Sequence, residues 1–390
     1  MFDWIRERSR GRKNRRIPSL LGIATCLASM LVVVGPSTSA TTPASAQANS
    51  PGSIARNVAA DERPPSFTAP GPSFDASAAK GKTLWIIDIL SSIPLVQTAD
   101  NATRAALHLV GANATSFDGK GSVSEYARGV NEAIANRADA IALFAIDPNL
   151  VAGPLKRALA AHIPVIVVQY SDPGTPMPLA LQAQTTYCYS CAGRMMANWI
   201  IANSPSQHVD TQLIVSTEVY NSKAEVTGFT DTMKRSCHSC KVGINDVPVA
   251  NWQTQIPTLT RSLLTSDPGV NYIVPIYDGM ALFAIPAITA MGKSSSVHVV
   301  SFNGTLGDMQ DLKGRRAVAA EVGSPQAWEG WALADQFLRL MSGQKPLVDE
   351  HVGLRTFDSH NINSINLNTP ESAWYGVDFA GVYKTMWHVR

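Results

Sequence analysis

Residues 138–169 read ADAIALFAIDPNLVAGPLKRALAAHIPVIVVQ. Ala140–Ile146 is almost wholly apolar, Leu150–Ala161 carries apolar residues at helical spacing, and Val165–Gln169 is apolar again. A continuous apolar run is the mark of a strand buried on both faces, as in parallel sheets. Strand–helix–strand succession predicts an α/β sheet with helices on its faces. The alternation extends upstream, with a strand at Thr83–Leu90 and a helix at Thr98–Leu109. After a Pro-rich break, Pro173 to Pro178, it resumes. Strands are expected at Leu213–Thr217, Val242–Val249, Asn271–Pro275 and Val297–Phe302, with helices at Ser222–Met233, Gln255–Leu264, Gly279–Met291 and Gln326–Leu340. The expected fold class is α/β: two doubly wound parallel-sheet lobes of similar size, followed by an irregular tail.

At 390 residues the chain exceeds one ordinary domain, which suggests two domains or one plus a processed segment. Hydrophobic residues make up 45%, enough for a large core. Charged residues make up 16%, against an average of ~25%, which argues against a charge-driven disordered chain and against nucleic-acid binding. The net charge of +2 is unevenly placed. Residues 1–16 carry net +5 and residues 17–46 carry no charge, so the remainder is −3. Basic residues, then the apolar run Ile17 to Val34, then Ala44-Ser45-Ala46 read as an export signal cut after Ala46. An uncleaved anchor is the alternative, shortened by Pro18. Arg15-Arg16 half-fits a twin-arginine signal, and Cys26 half-fits a lipidation site. Residues 1–46 are therefore expected to be a signal peptide. Residues 47–80, rich in Pro, Ser and Ala, are expected to be a disordered linker.

Six phrases follow one another along the chain. They are Ala138-Asp139-Ala140-Ile141, Leu155-Lys156-Arg157-Ala158 through Ile163-Pro164-Val165-Ile166, Ala192-Gly193-Arg194, Gly228-Phe229, Asp278-Gly279-Met280-Ala281-Leu282 and Ser301-Phe302-Asn303-Gly304. In that order, from residue 82 to about 345, they give the chain a resemblance to the ribose-binding-like (type 1) substrate-binding proteins of ABC importers. It implies two lobes joined by a hinge that close on a small molecule and present the closed form to an ABC transporter permease. It also implies lobe crossings near Asp172–Leu179, Ala320–Gly323 and Lys345–Val352. The N-terminal lobe is then 81–178 plus about 323–345, and the C-terminal lobe 179–322 plus about 350–390.

Ligands of open α/β sheets sit outside the carboxyl ends of the strands. Strand ends and the resemblance together mark Ser91, Ser92, Ile93, Gln169, Tyr170, Glu225, Trp252, Tyr277, Asp278 and Asn303 as candidate ligand-binding residues. Trp252 stands where sugar-binding relatives commonly place a stacking aromatic. Most other positions depart from the sugar pattern. Ile93, Leu95 and Val96 stand where relatives often have an Asn and stacking Phe residues, and Gln169-Tyr170 where they often have Asp and Arg. Glu225 replaces an Arg, Tyr277 an Asn and Asn303 an Asp, and Gly323 stands where a Gln is frequent. Vicinal hydroxyls suit a bidentate Arg or Asp. Their loss makes the cleft more aromatic and leaves two ligand classes open: a sugar or polyol, and an aromatic or hydrophobic solute. Each residue also has a bland role. Tyr170 and Tyr277 suit strand capping, Glu225 suits a surface pair with Lys223 or Arg194, and Asp278 suits an N-cap.

Cys188, Cys191, Cys237 and Cys240 form two C-x-x-C pairs. Alone they suggest a four-cysteine zinc site. The expected topology puts the pairs at opposite ends of a helix of ~21 Å, too far apart for one metal. Two local disulfides, Cys188–Cys191 and Cys237–Cys240, suit an exported chain. Redox catalysis at Cys188 is a further reading, since a thiol at a helix N-terminus is acidified. His238 reads as a solvated loop residue. No metal or cofactor is expected, and no G-x-S-x-G, H-E-x-x-H or Walker loop points to an enzyme. The expected protein is exported, periplasmic or cell-surface and possibly membrane-tethered, and a monomer with a small-molecule ligand and no nucleic-acid partner. A receptor for a membrane kinase is the second class. A repressor is disfavoured because the export signal occupies the place of a DNA-binding domain.

Overall fold

The computed structural model describes residues 51–204 and 208–389. The expected signal peptide lies outside them. Elements follow in chain order: α1 (Pro51–Asp61), β1 (Thr83–Asp88), α2 (Pro94–His108), β2 (Asn113–Asp118), α3 (Val123–Ala135), β3 (Ala140–Phe144), α4 (Ala152–Ala160), β4 (Val165–Val168) and β5 (Ala183–Thr185). The second half holds α5 (Tyr189–Ala202), β6 (Asp210–Val215), α6 (Ser222–Ser236), β7 (Lys241–Asp246), α7 (Trp252–Ser266), β8 (Tyr272–Pro275), α8 (Asp278–Ala290), β9 (His298–Asn303), α9 (Leu306–Lys313) and β10 (Val318–Gly323). Then come α10 (Gln326–Met341), β11 (Arg355–Asp358), α11 (Glu371–Tyr375) and α12 (Phe379–Met386).

The first sheet has the order β2-β1-β3-β4-β5 and is parallel throughout. Every residue of β3 and β4 is buried, because helices cover both faces. Leu84, Ile86, Ala142, Phe144, Ile166 and Val168 face one core. Ile87, Leu143, Val165 and Val167 face another, with Val130 of α3 and Leu155 of α4. The second sheet has the order β11-β10-β9-β8-β6-β7, in which only β11 runs antiparallel. Both sheets thus repeat one winding, with the order reversing between β1 and β3 and between β6 and β8. The expected α/β class with two parallel-sheet lobes is the observed one. Sequence reading passed over β2, a polar edge strand (NATSFD) with little buried surface.

In the second lobe, Gly193 of α5 and Gly228 of α6 let two helices touch backbone to backbone. A Cβ at Gly193 would lie 2.0 Å from the Glu225 carbonyl oxygen, and one at Gly228 would lie 2.1 Å from that of Ser190. The Ala192-Gly193-Arg194 and Gly228-Phe229 phrases are therefore packing requirements of this crossing.

Three boundary expectations need correction. Residues 51–80 are not a free linker. Ile54 and Val58 of α1 are buried against α5 of the second lobe. Phe67 meets Trp328 edge-on at 4.4 Å, and the Phe74 amide donates to the Met386 carbonyl at 2.9 Å. The few large apolar residues of this stretch are placed so that Ile54, Val58 and Phe74 are buried and Phe67 is half-buried, which an average over the stretch conceals. The first lobe crossing does not lie at Asp172–Leu179, because Ala183–Thr185 still pairs with Ile166–Val168, and the chain leaves this sheet after Thr185. The tail does not belong wholly to the second lobe. β11 joins that sheet, but α12 lies on α10, with Trp387 stacked on Trp331 at 5.4 Å. Helix α10 itself packs on α2 of the first lobe.

Each cysteine pair is local, with Cα–Cα distances of 5.1 Å for Cys188 and Cys191 and 5.4 Å for Cys237 and Cys240. Among the described residues the four cysteines form no single metal-ligand group.

Overpacking a backbone-to-backbone contact typically costs about 1–3 kcal/mol. Gly193→Val or Gly228→Leu is expected to lower stability by at least ~2 kcal/mol, seen as a fall in the urea midpoint. An unchanged midpoint would show that the α5–α6 contact tolerates a Cβ.

Candidate functional site

In both lobes the strands end towards the crevice between them, and the winding reverses beside β1 and β6. Ligands of this sheet order gather there. On the second lobe a chain of polar groups follows β6 and β8. Ser222 Oγ lies 2.8 Å from the Tyr277 hydroxyl and donates to the Ser216 carbonyl at 2.7 Å. The Tyr277 hydroxyl also donates to Asn221 Oδ1. Trp252 Nε1 donates to Ser216 Oγ at 2.8 Å and to the Val247 carbonyl at 3.2 Å. Its ring lies 6.4 Å from that of Tyr277. It also covers Gly279, where a Cβ would stand 2.9 Å from the indole.

The first lobe meets this rim directly. Asn221 Nδ2 donates to the Gln169 carbonyl at 2.8 Å. Tyr170 stacks on Tyr220 at 3.9 Å with the rings inclined by 16°. Gln169 adopts a left-handed backbone, φ 57°, which turns its side chain inward. There Nε2 donates to Glu329 Oε2 at 2.6 Å and to Gln326 Oε1 at 3.3 Å. The Tyr187 hydroxyl donates to the same Glu329 oxygen at 3.0 Å. This network ties the end of β4, the first crossing and α10 together.

The other candidates fall in different surroundings. Ser91 stays within its own lobe, its hydroxyl donating to Asp88 Oδ2 at 2.5 Å and its amide to Asp118 Oδ1 at 3.0 Å. Burial, helped by the charge of Asp100, pushes the Asp88 carboxyl up to about 7. Ser92 is exposed and Ile93 half-buried at the start of α2. Asn303 donates from Nδ2 to Ser324 Oγ at 3.3 Å, and no donor among the described residues reaches its Oδ1. Asp278 Oδ2 accepts from the Thr305 amide at 2.5 Å, which pins the loop after β9. Glu225 makes no pair with Lys223 or Arg194. It is fully buried and neither carboxyl oxygen finds a donor among the described residues, while Arg194 lies 3.8 Å from Asp61. Burial, and then the charge of Asp278, holds the Glu225 carboxyl well above its usual range.

Beside this rim a cavity of about 420 Å³ opens between the lobes. Its walls include Leu95 and Thr98 of α2, Thr305 and Leu306 after β9, and Glu371 and Trp374 of the tail. Its volume falls in the range of small-ligand pockets, ~300–1,000 Å³. Trp252, Tyr277 and Gln169 do not line it.

The sequence reading missed Tyr220, Asn221 and Ser222, although they follow a predicted strand and the strand-end rule alone points to them. It also missed Glu329 and Glu371, for which no local signal exists. Among the described residues, two carboxylate-rich groups have metal-ligand proximity: Glu62, Asp358 and His360, and Asp278, Asp308 and Glu321. In the first group His360 Nδ1 lies 3.0 Å from Asp358 Oδ2, which also accepts from Trp199 Nε1 at 2.8 Å, so its groups already have partners.

Two α/β lobes that turn their strand ends towards one crevice, joined by crossing segments, define a two-lobed ligand-binding fold. Residues 90–345 match the family model described as periplasmic binding protein domain, and the chain belongs to that family. No curated protein matches the chain at the sequence level. Solved structures share the fold at low identity. The 5-methylthioribose transporter solute-binding protein of Thermotoga lettingae is 14% identical, with TM-score 0.69 over 81% of this chain and 98% of its own. An Agrobacterium vitis ABC transporter solute-binding protein with bound D-fucose is 20% identical, with TM-score 0.64 over 75% of this chain and 99% of its own. A Mycobacterium smegmatis protein in complex with β-D-fucofuranose is 18% identical, with TM-score 0.65 over 78% of this chain and 98% of its own. The family is extracytoplasmic, and among the described residues no helix is long and apolar enough to cross a membrane.

Burial raises Glu329 to about 8 and Glu371 to about 7. The folded state keeps these protons at pH values where the unfolded chain has released them. Stability is therefore full below the usual glutamate value and falls as pH rises through the folded ones. The melting temperature is expected to drop between about pH 5 and pH 8. Glu329→Gln, which keeps an oxygen acceptor for Gln169 and Tyr187, should flatten part of that drop. An unaltered pH profile in the variant would refute this assignment.

Proposed function

We propose that this protein is an exported solute-binding protein that captures a small sugar- or polyol-class molecule between its lobes and delivers it to an ABC importer. The observation that carries this reading is the rim formed by Asn221, Ser222 and Tyr277 with the Trp252 ring alongside. Hydroxyl and amide groups in a row suit a ligand rich in hydroxyls, and an indole face suits the C–H face of a sugar ring. The rim also lies where the lobes meet, at Asn221–Gln169 and Tyr170–Tyr220. A ligand held there favours the closed arrangement, which a permease can distinguish from the open one. The relatives with bound D-fucose and β-D-fucofuranose support the carbohydrate class.

A second reading is an aromatic or hydrophobic solute. Four aromatic rings, Tyr170, Tyr220, Trp252 and Tyr277, crowd the lobe contact, and among the candidate residues no arginine is available for a bidentate grip. Ser91, Ser92, Ile93, Asp278 and Asn303 remain proposed contributors to the cleft. In an exported chain the two close cysteine pairs are proposed to be disulfides, Cys188–Cys191 and Cys237–Cys240. A signal peptide over residues 1–46, a permease as partner, a monomeric state and no catalytic activity complete the proposal.

A thermal-shift screen of the purified protein against sugars, polyols, aromatic acids and steroids tests the ligand class. A ligand that binds only the folded state raises the melting temperature by mass action. A sugar or polyol is expected to give the shift, and Trp252→Ala to weaken binding by about tenfold or more, the equivalent of ~1.4 kcal/mol. A shift from aromatic solutes alone would replace the first reading with the second. Alkylation before and after reduction tests the disulfides: four cysteines that react without reductant would sink them.

A further inference from the structure

Asp278, Asp308 and Glu321 arrive from three different elements. Asp278 opens α8 at the cleft end of β8, Asp308 lies in the first turn of α9, and Glu321 lies within β10, in register with Ser301 of β9. All are buried, at 0%, 1% and 0% exposure, and a ligand atom from each lies within 4.8 Å of the others. Asp278 Oδ2 has the Thr305 amide as donor. The other five carboxyl oxygens lack a well-aligned donor among the described residues, although the Gly304 amide acts on Glu321 and the Thr305 and Ser301 hydroxyls act on Asp278. Among the described residues no Lys, Arg or His pairs with any of the three. Burying an uncompensated carboxylate is costly, and three side by side cannot all ionise without a counter-charge.

A second observation comes from the tail. Tyr375 is fully buried and its hydroxyl has no partner among the described residues. A Cβ on Gly323 would lie 2.4 Å from that hydroxyl, and one on Gly304 would lie 3.5 Å from it. Gly323 is two residues beyond Glu321 on β10, hence on the same face of the strand. The hydroxyl therefore lies over the face of β10 that carries Glu321, near enough to feel the charges of Glu371, Asp278 and Glu321.

We propose that Asp278, Asp308 and Glu321, with the Tyr375 hydroxyl beside them, form a binding site for one hard divalent cation of the Ca2+ class behind the C-terminal rim of the cleft. The donor set is all oxygen, as such cations require, and ligand atoms within 4.8 Å of one another can share one ion at Ca–O bonds of ~2.3–2.6 Å. A dry, all-protein site suits Ca2+ better than Mg2+, which retains several waters. The Gly304–Leu306 loop borders both the site and the interlobe cavity, which gives the ion an entrance. A cation here would cross-link β8, α9 and β10 and hold Tyr277 and Asn303 at the cleft and α11 on the sheet.

The test is metal content of the purified protein, followed by melting after chelation with and without Ca2+, and by Tb3+ luminescence excited through the aromatic residues. One cation per chain, a rise of several degrees with Ca2+ and a saturable Tb3+ signal are expected. Both responses should vanish in an Asp308→Asn, Glu321→Gln double variant. If that variant does not fold, metal content and the Tb3+ signal of the unaltered protein decide alone. A protein without cation, a melting temperature indifferent to millimolar Ca2+ and no Tb3+ signal would overturn the proposal and leave three carboxyls sharing protons. A Ca2+ response that survives in the double variant would also overturn it, by placing the ion elsewhere.

Discussion

The structure turns on the burial of helix α10. Nearly every residue from Gln326 to Arg339 is buried, and five of them, Gln326, Glu329, Asp335, Gln336 and Arg339, are polar. An amphipathic helix needs cover on one face only, but this one needs cover and hydrogen-bond partners all round. The partners come from distant parts of the chain. Glu329 is held by Gln169 and Tyr187. Asp335 takes Arg339 at 2.5 Å and Trp387 Nε1 at 2.6 Å. Gln336 donates to the carbonyls of Gln184 and Leu347. The Arg339 guanidinium lies 4.8 Å from the Phe74 ring. The segment before β1, the first and third crossings and the C-terminal helix are thus required by one helix. A buried ion pair left half-satisfied is strongly destabilising, so the N-terminal segment and the tail are structural parts of the binding fold.

That constraint bears on the cleft. The network around Glu329 stands directly behind Gln169, whose carbonyl touches Asn221 of the other lobe. Changes in lobe separation are therefore felt at the end of β4, and through Glu329 at α10. Glu371 of the tail accepts the amides of Gln326 and Ala327 and so caps the same helix. The tail that walls the interlobe cavity is thus also the tail that finishes the hinge. Ligand capture and hinge integrity share groups, and two of these, Glu329 and Glu371, are carboxyls that burial raises to about 8 and about 7.

Legibility in the sequence followed the range of the interactions. The βαβ unit at 138–169 was readable because its strands are apolar on both faces and its helix is periodic. Gly193 and Gly228 were readable as motif phrases, although only the structure shows that they serve the α5–α6 contact. Trp252 and Tyr277 followed from strand ends. By contrast, β2 is too polar to announce itself, and residues 51–80 look like linker because their apolar residues are few. Glu225 offered an exposed charge by its position in the sequence, and the structure buries it without a cation. Glu329, Glu371 and Tyr375 carry no local signal, since their roles depend on residues more than a hundred positions away or on a tail without periodicity.

The sequence by itself determined the α/β class, the two lobes and the strand ends that bound the cleft. All of these rest on periodicity, short spacings and turn positions, which act within a few dozen residues. Only the tertiary structure decided where the chain crosses between lobes, that both termini dock on α10, which polar groups meet across the cleft, and that Asp278, Asp308 and Glu321 converge. Those outcomes depend on which buried polar group finds which partner. That matching is set in three dimensions, after the sheets have formed, and leaves no pattern along the chain.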